Sequence, residues 1–180
     1  MHISISTPWK EDKGDERKAE RRILPGSSIP QVFQHLLRRR EQQGDYSNVI
    51  WKFIDSIRNG KKPVIFGDGT QRRDFIYVED TARASMLAMK NGTPGGSYNV
   101  GTGKSTDFNT IFHIVKEELG YQEDAEHVPN PLKSYQMFTL ADITKTREEL
   151  KFEARYNIRD GVKKIIKEIS EHAEKNSRST

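Results

Sequence analysis

Gly67-Asp68-Gly69-Thr70-Gln71-Arg72-Arg73-Asp74 holds the residues best suited to chemistry in this chain: two glycines, a carboxylate between them and two adjacent arginines. Gly67 and Gly69 permit positive φ and a close approach of backbone to a ligand. Arg73 can present a planar fork of donors to a phosphate, carried by a strand rather than by a mobile loop. These features fit a diphosphate contact beside a turn. They fit equally an ordinary hairpin turn with surface arginines, and spacing alone does not separate the two.

A second glycine cluster, Gly101-Thr102-Gly103-Lys104-Ser105, follows a short strand and precedes a helical pattern. That context invites comparison with the Walker phosphate loop. The Walker pattern requires a glycine five residues before Gly103, where this chain has Tyr98. The favoured reading is therefore a tight strand-to-helix turn, with Ser105, Thr106 or Asp107 as helix cap.

The elements that carry these turns follow from periodicity. Val49, Ile50, Phe53, Ile54 and Ile57 form one helical stripe, with Ser47 as candidate cap and Asn59-Gly60 as the stop. Val64-Ile65-Phe66 reads as a strand leading into the first glycine turn, and residues 74–78 read as a second strand. Glu79, Asp80 or Thr81 is expected to cap a helix carrying Ala84, Met86, Leu87, Ala88 and Met89. Further on come strand Tyr98-Asn99-Val100, a helix with Phe108, Ile111, Phe112, Val115 and Leu119 on one face, and a short strand at Glu126-His127-Val128. Residues 132–139 read as extended, exposing Lys133, Tyr135 and Gln136; a short helix starts at Asp142 and ends near Leu150. A last helix spans residues 158–173 with Val162, Ile165, Ile166 and Ile169 inward. Alternating helices and short strands predict an α/β body without enough apolar strands for a full doubly wound sheet.

The 180 residues are 33% hydrophobic and 31% charged and include no cysteine, so disulfides and cysteine-held metals are excluded. No apolar run approaches membrane-spanning length and no leader is visible, so a cytoplasmic setting is expected. Residues 1–44 hold nine Lys/Arg against six Asp/Glu, whereas the remainder holds twenty-one against twenty. The net charge of +4 thus belongs mainly to the first segment, and the body argues against a nucleic-acid surface. Residues 1–44 are expected to be a poorly structured charged arm, with Arg38-Arg39-Arg40 a solvated run rather than a nucleic-acid contact. The expected division is arm 1–44, body 45–172 and frayed tail 173–180.

The run from Gly67 to Asp80 resembles the GDG-x-Q-x-RDF-x-YV-x-D signature of extended short-chain dehydrogenase/reductase enzymes acting on nucleotide sugars. Tyr98-Asn99-Val100-Gly101-Thr102-Gly103 is similar to the YN-[VIL]-G-[TS]-G turn of the same family. The resemblance runs from about Gly44 to Ile169. The stretch from Asn130 to Asp142, with Tyr135-Gln136-Met137-Phe138-Thr139, looks most like ADP-glycero-manno-heptose 6-epimerases; UDP-glucose 4-epimerases and dTDP-glucose dehydratases are similar. The resemblance implies a small mixed α/β substrate-binding domain of a two-part enzyme, with most of the Rossmann sheet missing. It implies that Asp45, Lys52, Phe66, Gly67, Asp68, Gly69, Arg73 and Tyr135 contact a nucleotide-diphosphate sugar, Arg73 at the diphosphate, with Arg72 facing solvent.

The resemblance also implies NAD or NADP in the full-length family, but the residues for it are not found here. No G-x-x-G-x-x-G or G-x-G-x-x-G follows a strand, and no tyrosine is followed four positions later by lysine. Gln43 stands where the heptose epimerases place a lysine base. No catalytic, cofactor-binding or metal-binding residue is therefore assigned. The expected role is the nucleotide-sugar half of an epimerase, inactive alone; the alternative is a non-catalytic module that binds a nucleotide sugar or docks on a partner, a Rossmann half or a second copy.

Overall fold

The computed structural model describes residues 3–6, 49–131 and 135–177. In chain order the elements are β1 (Ile3–Ser6), α1 (Val49–Arg58), β2 (Val64–Phe66), β3 (Arg72–Asp74), α2 (Val78–Asn91), β4 (Ser97–Val100), β5 (Ser105–Asp107), α3 (Phe108–Leu119), β6 (Glu126–Val128), α4 (Thr144–Leu150) and α5 (Ile158–Ser177). The class is mixed α/β. Among the described residues the strands form three two-stranded ribbons: β1 antiparallel to β4, β2 parallel to β6, and β3 antiparallel to β5. Ile3–Ser6, inside the segment expected to lack structure, pairs along the edge of β4 from Ile3↔Val100 to Ser6↔Ser97. The rest of residues 1–44, together with Asp45, Ser47 and Lys133, lies outside the described residues.

Two clusters of buried side chains hold the elements. In the larger, Ile50, Phe53 and Ile54 of α1 meet Ile111, Phe112 and Val115 of α3, Ile65 of β2 and Val162 and Ile169 of α5. Phe53 and Phe112 meet edge to face with centroids 5.6 Å apart. In the smaller, Ala84 and Ala88 of α2 pack on Tyr98 and Val100 of β4, Leu150 and Phe152. Each large side chain withdrawn in this way contributes about 1.5–3 kcal/mol. The stripes read on α1, α3 and α5 are the faces that are buried. On α2 the small alanines face the core, while Met86 and Met89 are 70% and 76% exposed.

Several boundaries differ from expectation, among them the short helix expected from Asp142, which starts at Thr144. The second strand is residues 72–74 rather than 74–78, because the Asp74 carboxylate turns inward to distant backbone instead of continuing an alternating strand. Helix α2 then starts at Val78, with extended Tyr77 as an N-cap lacking a side-chain bond; Asp80, expected as a cap, is spent elsewhere. The turn after β4 leads into β5 before α3 begins, and Asp107 is the cap, accepting from Thr110 N at 2.8 Å. Helix α5 runs to Ser177 rather than ending near Ala173.

Candidate functional site

The turn after β2 is built by its two glycines, at φ +70° for Gly67 and +77° for Gly69. Between them Asp68 Oδ1 accepts from Thr70 N (3.0 Å) and Thr70 Oγ1 (2.7 Å), and these bonds lower the Asp68 pKa. A Cβ on Gly69 would lie 2.0 Å from Asn109 Oδ1, so close approach as well as φ demands glycine here. The turn is fastened on both flanks. Phe108 N (3.1 Å) and Asn109 N (3.3 Å) donate to Gly69 O, and Asn109 Nδ2 donates to Asp68 O (2.9 Å). His127 Nδ1 lies 2.9 Å from Gly67 O, and buried Gln71 donates through Nε2 to Phe66 O at 2.9 Å.

The paired arginines part company immediately after this turn. Arg72, expected to face solvent, is exposed but fastened: its Nε and Nη2 donate to Ser105 Oγ (3.1 Å) and Ser105 O (2.8 Å), so it ties β3 to β5. Arg73 points the other way. Its Nη1 donates to Arg72 O (2.8 Å), its Nη2 donates to Gln136 O, and its Cζ stands 5.3 Å from the Tyr135 ring centroid and 5.8 Å from that of Phe108. Two of five guanidinium N–H groups are thus engaged among the described residues, and the plane is set by the rings. Phe108 joins the two halves of the site, its N–H on Gly69 O and its ring beneath Arg73. The fold therefore brings Phe66, Gly67, Asp68, Gly69, Arg73 and Tyr135 into one connected region. Lys52 is half-buried on α1, and Asp45 lies outside the described residues.

Sequence reasoning assigned no role to Asp74, which is fully buried. Its Oδ1 accepts from Thr102 N (2.9 Å) and Thr102 Oγ1 (2.6 Å), and its Oδ2 from Gly103 N (3.0 Å) and Ala141 N (3.3 Å). The one available signal was a carboxylate inside an apolar strand pattern, since a buried charge must find donors. This arrangement also explains why the Gly101–Gly103 turn is no phosphate loop. Its Thr102 and Gly103 amides already face a carboxylate, and the first N–H groups of α3 are taken by Gly69 O, Gln71 O and Asp107. The pyrophosphate cradle of a dinucleotide therefore does not fit here.

Asp80, expected as a helix cap, is a second buried carboxylate. Its Oδ2 accepts from Arg155 N (2.8 Å) and Tyr156 N (3.0 Å), and its Oδ1 accepts from Arg83 Nη2 (2.9 Å). Nearby, Lys164 donates to Glu79 Oε1 (2.7 Å) and Tyr156 Oη (2.9 Å); these bonds raise the Lys164 pKa and lower that of Glu79. Tyr77 donates to Glu168 at 2.6 Å; burial first, and then that carboxylate, raise its pKa. Beyond Asp74 an open cleft of about 580 Å³ is lined by Thr102, Lys104, Phe138, Leu140, Ile143 and Arg147, among others. Among the described residues, no group of His, Cys, Asp or Glu is placed to hold a metal ion, and no helix is long and apolar enough to cross a membrane.

Residues 29–101 match the model of the NAD dependent epimerase/dehydratase family, a match that begins ahead of Gly44. A putative UDP-glucose 4-epimerase of Methanocaldococcus jannaschii is 36% identical over 131 residues, covering 71% of this chain and 40% of that protein. The UDP-glucose 4-epimerase of Thermotoga maritima, solved with UDP-glucose, superposes with a TM-score of 0.61 at 32% identity, covering 69% of this chain and 40% of that one. The enzyme WbmF of Bordetella bronchiseptica, solved with NAD+, superposes with a TM-score of 0.57 at 32% identity, covering 67% of this chain and 35% of that one. The chain spans about 40% of the length of the curated relatives it matches. Part of this chain is thus similar to the NAD dependent epimerase/dehydratase family, and one of the similar solved structures holds NAD+.

Proposed function

We propose that this chain, whose residues 29–101 carry the sequence of the NAD dependent epimerase/dehydratase family, is the nucleotide-sugar-binding portion of an NAD-dependent sugar-nucleotide epimerase. One observation carries the reading. Arg73 leaves a double-glycine turn with its guanidinium set between the Tyr135 and Phe108 rings, and three of its N–H groups remain for a ligand among the described residues. A diphosphate is the doubly charged, multi-oxygen acceptor that such a fork suits. Tyr135 fixes the plane of the fork. Phe66, Gly67, Asp68 and Gly69 form the strand end and turn that lead to it, and with Asp45 and Lys52 they complete the proposed substrate set. The body corresponds to residues 45–172, with the arm before it and the tail after it.

Isothermal titration of the full chain with UDP-glucose and with an ADP-activated heptose tests the reading. Arg73→Ala should weaken whichever sugar nucleotide binds by about 1.5–3 kcal/mol. Unchanged affinity would remove Arg73 from the site. The comparison of the two ligands also separates the UDP-sugar chemistry named for the relatives from the ADP-heptose 6-epimerase likeness of residues 130–142.

Epimerisation needs a hydride acceptor, and that chemistry belongs to the nicotinamide. Neither a dinucleotide glycine motif nor Tyr-x-x-x-Lys is present in this sequence. No hydride or proton step is therefore assigned to these residues, and the chain with added NAD is expected to give no turnover of either ligand. Measurable interconversion at C4 or C6 would overturn that. A second reading, a non-catalytic module docked on a Rossmann-half partner, is favoured by the exposed apolar run Met137, Phe138 and Leu140. A size-exclusion shift on mixing with the separately produced dinucleotide half of a relative would support it.

A further inference from the structure

The segment that presents Tyr135 and Gln136 to Arg73 meets β3 through backbone bonds. Residue 138 makes an isolated parallel bridge with Arg72, through Arg72 N to Met137 O (2.8 Å) and Thr139 N to Arg72 O (3.1 Å). Backbone bonds of this kind do not recognise particular residues. Slippage by two residues keeps every side chain on its own face and moves it about 6.6 Å along the strand. That distance would carry Tyr135 and Gln136 wholly out of reach of the guanidinium. The next contact along the same segment is not of the backbone ladder: Ala141 N donates to Asp74 Oδ2. That carboxylate is clamped from the other side by Thr102 N, Thr102 Oγ1 and Gly103 N. Its clearance is fixed as well. A Cβ on Gly101 would lie 2.6 Å from Asp74 Oδ2 and 2.6 Å from Ala141 Cβ.

We propose that Asp74 is a positioning residue, the register pin that sets residues 135–141 against β3 so that Tyr135 and Gln136 O face the Arg73 guanidinium. It touches no ligand and acts through Arg73. One face of β3 carries the residue that meets the ligand; the other carries the carboxylate that decides what stands opposite it. The consequence for binding rests on the reading that Arg73 meets the diphosphate, but the positioning itself does not.

The test is Asp74→Asn in the full chain, read two ways. In arginine-labelled protein the Arg73 Nη–Hη resonances, held by Arg72 O and Gln136 O, should collapse to a solvent-averaged signal. The Arg72 resonance, held by Ser105, should stay resolved; general loss of β3 would move both. In parallel, the Kd for UDP-glucose should rise about tenfold, with no further rise when Asp74→Asn is added to Arg73→Ala. Should Asp74→Asn fail to fold, Thr102→Val, which removes only the hydroxyl bond, should shift the Arg73 signal in the same direction, and Thr102→Ser should restore it. A resolved, unshifted Arg73 signal in a folded Asp74→Asn or Thr102→Val chain would overturn the proposal. If Arg73→Ala binds UDP-glucose like the parent while Asp74→Asn still collapses the Arg73 signal, the pin stands and the diphosphate reading falls.

Discussion

Asp74 and Asp80 stand six residues apart, both buried to within 1% of full burial, and both spend their oxygens on backbone N–H groups far along the chain. They differ in what they join. Asp80 sits in the first turn of α2 and takes Arg155 N and Tyr156 N, with the Arg83 guanidinium as third partner. It thereby anchors the approach to α5, where Lys164, Glu79 and Tyr156 add a surface clasp. Asp74 sits on β3, one residue from Arg73, and joins the turn after β4 to the segment that carries Tyr135. The same device thus serves scaffold in one place and site geometry in the other. What separates the two is the element on which each carboxylate is mounted.

The largest effects should come from removing either carboxylate. Asp74→Ala strands four donors and Asp80→Ala strands two amides and an arginine, so each should cost about 3 kcal/mol or more in denaturant unfolding. The comparison is sharpened by ligand binding measured on the folded fraction. Asp80→Ala should leave UDP-glucose affinity where it was, while Asp74→Ala should lower it. Equal losses of affinity would mean that both carboxylates serve only the scaffold.

How much of this was legible in the sequence varies with the range of the interactions. The stripes on α1, α3 and α5 were readable because helical period and burial coincide, as Phe53, Ile111 and Val162 show. The glycine turn was readable because Gly67 and Gly69 do adopt positive φ. The union of Arg73 with Tyr135, 62 positions apart in sequence, was reached only through family resemblance, since periodicity carries no information at that separation. Asp74 and Asp80 went unread for the same reason: their partners at 102–103, 141 and 155–156 are set by tertiary packing. Read locally, they are a strand residue and a helix cap. The strand therefore ended early at Asp74, and α2 opened without a side-chain cap.

The turn that precedes Arg73 should show a smaller effect than the carboxylates. Gly69→Ala forces a Cβ at φ +77° into the Asn109 amide, 2.0 Å away, and should cost about 1–3 kcal/mol. Gly67→Ala, at φ +70° with nothing within 4 Å of the new Cβ, should cost only about 1 kcal/mol. Thermal unfolding of the two variants side by side checks the difference. Equal shifts would show that backbone conformation alone, and not the approach to α3, dictates glycine at position 69.

The smallest effect belongs to the cap that completes the fastening of this turn to α3. Burial pushes the Asp107 pKa up, but the hydrogen bonds from Thr110 N and Oγ1 outweigh it and leave the carboxyl below its ordinary value. A carboxylate whose folded pKa lies below its unfolded one stabilises the fold above the unfolded value, about 3.9. That stabilisation is lost as pH falls through the lower folded pKa. Asp107→Ala should therefore cost about 1 kcal/mol at neutral pH and progressively less below about pH 4, so that the two stability curves converge in acid. Asp107→Asn keeps an acceptor for Thr110 N and should recover most of the neutral-pH loss while flattening the acid limb. Parallel curves down to pH 2 would show that the cap works by shape and not by charge. Asp107 would then stand apart from Asp74 and Asp80, whose buried charge is answered directly by the donors they collect.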